Sequence, residues 1–144
     1  MRMNLSDLLK KNTVRQVEAD KKQSLELIAH AEHDLKVAQD NLKINNYDWA
    51  LAIAYNAMLY AGRSLMAYKG YAPSSDAHHL AVVQFCAVVL PAESGQLAST
   101  FNRYRIRRND VVYGEAESVG EDEAKNSIEN SRKFVIAIKE RMSR

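Results

Sequence analysis

The sequence predicts an all-α protein, an antiparallel four-helix bundle with one additional short helix. Three observations carry that expectation. Only five Gly and two Pro occur in 144 residues, too few chain breakers for a sheet with many tight turns. Ala, Leu, Lys and Glu are abundant, and each favours helix. Apolar residues recur at steps of three and four over long stretches, the pattern of helices that turn one face to a core.

Taken in order, residues 1–16 read as an N-terminal arm with one short helical turn around Leu5, Leu8 and Leu9, and residues 17–144 as the bundle. The first long helix spans about residues 18–43, with Ile28, Ala31, Leu35, Ala38 and Leu42 on one stripe. Asn45-Asn46 breaks it. The second, about residues 48–69, carries Trp49, Leu51, Ala52, Ile53, Tyr55, Met58, Leu59, Leu65 and Met66 on nearly every side, which predicts a central helix. Gly70 supplies a left-handed stop. Pro73-Ser74-Ser75 forms a turn, and Ser75 or Asp76 caps a third helix that ends before Pro91. The fourth begins near Glu93 or Ser94 and carries Leu97, Ala98, Phe101 and Ile106 toward Val111-Val112, where Gly114 closes it. Ser118-Val119-Gly120-Glu121 has capping-box spacing. It opens a fifth helix with Ile128, Ser131, Val135, Ile138 and Met142 in register. Brief connections between such helices imply an antiparallel bundle.

Composition narrows the classes of function. A chain that is 47% hydrophobic and 26% charged has the balance of a globular domain. The lone cysteine, Cys86, sits inside the apolar run Val82-Val83-Gln84-Phe85-Cys86-Ala87-Val88-Val89-Leu90. It reads as a buried thiol in a reducing compartment. The first residues lack the apolar segment of a signal peptide, and Gln84 and Pro91 interrupt the best apolar run well short of the ~20 residues a membrane span needs. A cytoplasmic protein without a membrane partner is therefore expected. The net charge of +2 is too small to point to a polyanion, so any such argument rests on how charge is distributed.

That distribution is uneven. Phe101-Asn102-Arg103-Tyr104-Arg105-Ile106-Arg107-Arg108-Asn109-Asp110-Val111-Val112-Tyr113-Gly114 places four arginines within six residues. Like charges on adjacent helical turns repel, and an anion relieves them. Guanidinium groups suit phosphate because their planar fork donates two parallel hydrogen bonds. Asn109 adds a neutral donor and acceptor, and Tyr104 and Tyr113 offer rings for base stacking. The competing reading is a solvated helix face whose arginines pair with Asp110, Glu115, Glu117 and Glu121.

Arg107-Arg108-Asn109-Asp110-Val111-Val112-Tyr113-Gly114 resembles the signature of HEPN domains, small helical bundles found beside nucleotidyltransferases and in bacterial defence systems. Tyr55-Asn56-Ala57-Met58-Leu59-Tyr60-Ala61-Gly62-Arg63-Ser64-Leu65 resembles the second helix of that family. His78-His79-Leu80-Ala81-Val82-Val83-Gln84-Phe85 resembles its third, and residues 121–139, with Ala124, Ile128 and Phe134-Val135, its last. The resemblance implies a HEPN-like bundle, a homodimer with two motifs across one shared cleft, and RNA or a nucleotide as partner. It also implies a metal-independent ribonuclease of toxin–antitoxin or defence type, in which an arginine is followed four to six residues later by a histidine. Such chemistry needs a proton acceptor, a proton donor and a cation over the phosphorane. Histidine near pKa ~6.5 does both proton jobs and arginine supplies the charge.

Here Arg108 and Asn109 match, but Tyr113 stands at the histidine position. A phenol of pKa ~10 is ionised in about one molecule in a thousand at pH 7, so it donates well and accepts poorly. The expected site is therefore Arg108, Asn109 and Tyr113 as the motif residues, with Arg103, Arg105, Arg107, Tyr104 and Asn56 around the bound nucleic acid or nucleotide. Whether the site cuts RNA stays open. Asn56 either orients Arg108 or satisfies polar groups in the core. In some members of the family a partner nucleotidyltransferase modifies a tyrosine two residues beyond the histidine; that position is Glu115 here, which leaves Tyr113 as a candidate for modification.

The remaining histidines divide. His30, His33 and Asp34 share one helical face, but structural zinc wants four ligands, so no metal and no cofactor is expected. His78 matches a histidine of the family and would bridge helix ends, while His79 reaches solvent or the cleft. The alternative function is a non-catalytic interaction partner of a nucleotidyltransferase or an antitoxin-like protein. A further alternative is a solute-binding bundle using a cleft around Tyr55 and Tyr60.

Overall fold

The computed structural model describes residues 3–74, 78–114 and 117–143. Among them are six α-helices: α1 (Leu5–Lys10), α2 (Lys21–Lys43), α3 (Tyr47–Lys69), α4 (His78–Val89), α5 (Gly95–Tyr113) and α6 (Glu121–Met142). A 3₁₀ turn at Ala92–Ser94 leads into α5. The all-α bundle expected from the sequence is what the described residues form.

Local chemistry sets the helix ends. The Asp20 carboxylate accepts from the Gln23 backbone N–H at 2.9 Å and starts α2, using a donor that would otherwise be orphaned. Asn45 at φ 61° turns the chain after α2, a left-handed conformation that asparagine tolerates. Gly70 ends α3 with φ 89°, and a Cβ there would lie 2.8 Å from the Val17 carbonyl oxygen. Both conformation and space demand glycine. The capping box expected at Ser118 is not formed. Gly120 is the N-cap of α6 and offers no side chain, while the Ser118 carbonyl accepts from Arg107 at 3.0 Å. The Asp48 carboxylate instead organises this turn, accepting from the N–H groups of Glu117 at 2.7 Å and Val119 at 3.0 Å. Capping by Ser75 or Asp76 falls outside the described residues, as does Glu115.

Helix α3 is the centre. It packs against α2, α4, α5 and α6, and its small buried residues Ala50, Ala54, Ala57, Ala61 and Gly62 let those neighbours approach closely. Away from its two ends, between Trp49 and Ala67, only the stripe Trp49, Ile53, Asn56, Tyr60 and Arg63 escapes full burial, at the three-four spacing of one helix face. Trp49 corrects the sequence reading: it is 59% exposed rather than part of the core. Two serine contacts fasten the bundle. Ser64 Oγ donates to the Ser24 carbonyl at 2.6 Å, and Ser131 Oγ donates to the Ala54 carbonyl at 2.7 Å. Cys86 is fully buried, and burial pushes its thiol up to about 12.

The first sixteen residues do more than the expected arm. Leu8 and Val14 belong to the main core cluster. Val14–Gln16 (β1) pairs antiparallel with Tyr71–Pro73 (β2), Val14 opposite Pro73 and Gln16 opposite Tyr71. Three-residue strands are too short to announce themselves by alternation. Among the described residues no helix is long and apolar enough to cross a membrane.

The tight approach of α4 to α3 yields a prediction. A Cβ at Gly62 would stand 2.5 Å from Val82 Cγ1 and 3.2 Å from Cys86 Sγ, so Gly62→Ala must push α4 off α3. Overpacking of this kind costs about 1–3 kcal/mol, and alanine's better helix propensity returns up to ~1 kcal/mol. Urea denaturation of Gly62→Ala is expected to show a lowered midpoint; an unchanged or raised midpoint would mean that α4 yields freely.

Candidate nucleic-acid interface

Helix α5 carries the arginine stretch, and its geometry decides what each arginine does. Successive residues are turned by about 100°, so Arg103, Arg105, Arg107 and Arg108 fan around the helix instead of facing one way. Phe101, fully buried, marks the core side. Arg108, seven residues on, points along that same side, with Arg105 on one shoulder and Arg107 on the other.

Arg107 is committed to structure. Its Nε and Nη2 donate to the two carboxylate oxygens of Glu123 on α6 at 2.8 and 2.9 Å, and Nη2 also donates to the Ser118 carbonyl at 3.0 Å. This two-pronged pairing, only 27% and 38% exposed, raises the arginine's pKa, first through its hydrogen bond to Glu123. Arg107, expected around the bound nucleic acid or nucleotide, thus has its guanidinium already matched to a carboxylate. The acidic partner is Glu123, not the neighbours that sequence proximity suggested.

Arg103 lies on the α6 side as well, exposed, with Nη2 3.4 Å from Thr100 Oγ1. It borders an open groove of about 530 Å³ lined by Arg103, Tyr104, Arg107, Glu123, Asn126 and Asn130. Tyr104 is not a free stacking platform. Its ring packs against the core, and its hydroxyl accepts from Asn130 Nδ2 at 3.1 Å.

Arg105 and Arg108 occupy the other side. Arg105 Nε donates to Asn102 Oδ1 at 3.0 Å. Arg108 is half-buried, and its Nε is buried with no hydrogen-bond partner among the described residues. Among those residues, no carboxylate pairs with either guanidinium. What lies beside them is a Tyr–His pair that the sequence reading did not assemble. Tyr55 Oη and His79 Nδ1 are 2.8 Å apart, with rings stacked at 5.6 Å. Tyr55 also packs on Phe101 at 5.8 Å. Burial pushes the Tyr55 phenol above its ordinary range, while the charges of Arg105 and Arg108 pull it down. His79 is held below its usual 6.5 by burial first, then by the charges of Arg108, His78, Arg105 and Arg63. The imidazole is therefore neutral at pH 7.

The other expected site residues disperse. Asn109 and Tyr113, four apart, share the outward face of α5 with Ile106, and Tyr113 is 79% exposed. Arg108 and Tyr113, five apart, are turned about 140° from each other, so one protomer does not close them on a common point. Asn56 lies on the partly open stripe of α3, and among the described residues no hydrogen bond joins it to Arg108. His30 stacks on Tyr60 at 3.9 Å and lies 3.6 Å from Asp34. Among the described residues no three His, Cys, Asp or Glu side chains gather as a metal would require.

With this geometry in view, comparison places the chain. The HEPN domain family model matches residues 24–141. The crystal structure of TT1696 from Thermus thermophilus aligns with a TM-score of 0.65 at 20% sequence identity, covering 83% of this chain and 98% of that one. At this identity the likeness speaks to the fold. No curated protein sequence matches the chain.

The depressed His79 predicts a pH effect whose sign follows from linkage. Below pH ~6.5 the unfolded chain binds a proton at this position that the folded chain resists, so stability falls as pH drops. The groups facing the ring are Tyr55, Arg63, Arg105, Arg108 and His78, cations or neutral donors that do not reverse the sign. Urea midpoints measured at pH 7.5 and 5.5 are expected to drop less in His79→Gln than in the wild type. Equal drops would remove His79 from the effect.

Proposed function

The chain belongs to the HEPN domain family, and from that premise we propose that it binds RNA through the Arg105–Arg108 side of α5 as a homodimer. The observation that carries this reading is the contrast between arginines. Glu123 neutralises Arg107, whereas Arg105 and Arg108 stand side by side without a carboxylate among the described residues. Two adjacent cations, one with a buried and unpartnered Nε, favour an incoming anion on electrostatic grounds. Phosphate fits the donor set.

The outward face of α5 supports a second copy. Ile106, Val112 and Tyr113 are 50%, 39% and 79% exposed, an apolar strip beside Asn109. A two-fold partner lying on that strip would bring a second Tyr113 and Asn109 toward the first Arg108, which the turn of a single helix does not do. The reaction on this reading is binding, with ribonuclease cleavage slow or absent. A phenol hydroxyl at the histidine position supplies a donor and not a base, and loss of a base forfeits roughly a hundred- to ten-thousand-fold in rate.

A second reading, a non-catalytic partner of a nucleotidyltransferase, has one observation in its favour. Ile44 and Trp49 are 72% and 59% exposed at the α2–α3 turn, an apolar patch that suits a protein. The two readings predict different salt behaviour, since log Kd for single strands changes by about 0.7 per phosphate contact with log salt, while an apolar protein interface responds weakly.

The deciding measurement is fluorescence anisotropy of a labelled single-stranded RNA, without metal, across a salt series. Arg108→Ala is expected to weaken binding about tenfold or more and to flatten the salt slope. Arg107→Ala is expected to lower the melting temperature while leaving the affinity of the folded fraction close to wild type. Tyr113→His is expected to raise any metal-independent cleavage. RNA affinity that ignores both salt and Arg108→Ala would overturn the proposal.

A further inference from the structure

The Tyr55–His79 hydrogen bond determines which imidazole nitrogen carries the proton. Tyr55 is 1% exposed, so its hydroxyl hydrogen has no access to water. Among the described residues its only hydrogen-bond partner is His79 Nδ1, at 2.8 Å. A buried hydroxyl left without an acceptor is destabilising, and burial disfavours ionisation of the phenol. Tyr55 must therefore donate. Nδ1 of the neutral ring then accepts, and the ring hydrogen resides on Nε2.

That assignment turns His79 from an apparent base into a donor. Its Nε2–H sits on a half-exposed ring, within the electrostatic reach of Arg105, Arg108 and Arg63. Two kinds of donor, imidazole and guanidinium, thus lie near one another at the junction of α3, α4 and α5. The nearest hydrogen-bonded neighbour of the ring is itself spent, and Arg108 Nε still lacks a partner. Nothing in this cluster among the described residues bears negative charge.

We propose that His79 is a further phosphate-binding residue, its Nε2–H joining the guanidinium groups of Arg105 and Arg108 on one phosphate of the bound RNA, and that Tyr55 is the positioning residue that fixes the ring. This rests on the RNA-binding reading above and adds to it a residue on a different helix. It also gives the site a discriminating geometry: a tetrahedral oxyanion takes three convergent donors, where a planar carboxylate is satisfied by one guanidinium fork. Because His79 is neutral, its contribution to affinity depends little on salt, unlike that of the two arginines.

The test reads the ring directly. Long-range 1H–15N correlation spectra of the wild-type protein at pH 7 are expected to show His79 Nδ1 as an unprotonated nitrogen and Nε2 as protonated. In Tyr55→Phe the pattern is expected to become a mixture of tautomers. Adding a mixed-sequence single-stranded RNA decamer, or inorganic phosphate at millimolar concentration, should shift Nε2–H. His79→Leu is expected to weaken RNA binding about tenfold, whereas His79→Gln, whose amide N–H can stand near Nε2, retains most of the affinity. A protonated Nδ1 in the free protein overturns the proposal whatever the RNA does. So does an Nε2–H that stays unmoved by both RNA and phosphate. If Arg108→Ala weakens binding and His79→Leu, still folded, does not, the RNA-binding reading survives and the role of His79 falls. If the RNA does not bind at all, the broader reading falls, and the phosphate titration alone decides for His79.

Discussion

Enclosure of α3 by its neighbours is the constraint on which the rest of the molecule depends. A helix surrounded on all but one stripe must present small residues wherever another backbone comes near. Ala50, Ala54, Ala57, Ala61 and Gly62 do this. It must also satisfy any polar group it carries inward, since water is not available there. Ser64 and Tyr55 are such groups. Ser64 is answered by the Ser24 backbone on α2, and Tyr55 by an imidazole on α4. Tyr55 thus belongs to two systems at once. Its ring packs at a tilt against Phe101 within the core, and its hydroxyl reaches the polar edge where α5 brings its arginines. Core packing and site geometry meet in one side chain.

The same residue type serves two ends on α5 because a helix sorts its side chains by angle. Arg107 and Arg108 are adjacent in sequence, yet a rotation of about 100° sends one to Glu123 and the other toward Tyr55 and His79. The first becomes part of the brace between α5, α6 and the turn before α6, where the Asp48 carboxylate also holds two backbone N–H groups. The second, half-buried, pairs with no carboxylate among the described residues. Positive charge of this kind raises the folding free energy and weighs on its neighbours; it adds to burial, the larger cause, in holding His79 below its usual pKa. An anion reverses both effects. The brace at Arg107 and the open charge at Arg108 are complementary: the first fixes the helix rigidly enough for the second to be held in place.

Much of this was legible in the sequence, for reasons that differ by element. The long helices announced themselves through periodicity, and Gly70 through the left-handed stop it provides at φ 89°. The ends were harder. Ser118 has the right spacing for a capping box, but the Asp48 carboxylate, 69 residues from Glu117, reaches that turn from another helix, and no local pattern reports such a contact. Trp49 read as core because the hydrophobicity of α3 is nearly uniform; a helix with apolar residues on every side does not say which of its faces the bundle leaves open. The short strands escaped because three residues cannot establish an alternation. At the site, the arginine cluster was legible as a concentration of charge but not as two populations. Distinguishing them requires knowing that Glu123 on α6 faces Arg107 on α5, a contact between residues sixteen apart. His79 was visible as a residue near the cleft, while its bond to Tyr55, 24 residues distant, belongs to tertiary structure alone.

The chemistry available to one protomer follows from counting donors against acceptors. Cleavage by an internal 2′-hydroxyl requires a group that removes a proton as well as groups that stabilise the phosphorane. Arg105 and Arg108 only donate. Tyr113 brings a phenol hydroxyl, a donor. His79 would be the obvious acceptor, but its one lone pair is taken by Tyr55, and freeing it would strand a buried hydroxyl. Asn109 offers an amide oxygen, which is far too weak a base. On the proposed reading such a site would grip phosphate in the ground state with little means of advancing it, since binding that is equal in ground and transition states does not accelerate the chemical step. On these terms a His-less motif and a tyrosine-locked histidine are two parts of the same arrangement: each converts a position where a base could stand into one more hydrogen-bond donor. The proposed role as an RNA-holding dimer therefore follows from the proton inventory as much as from the positive charge.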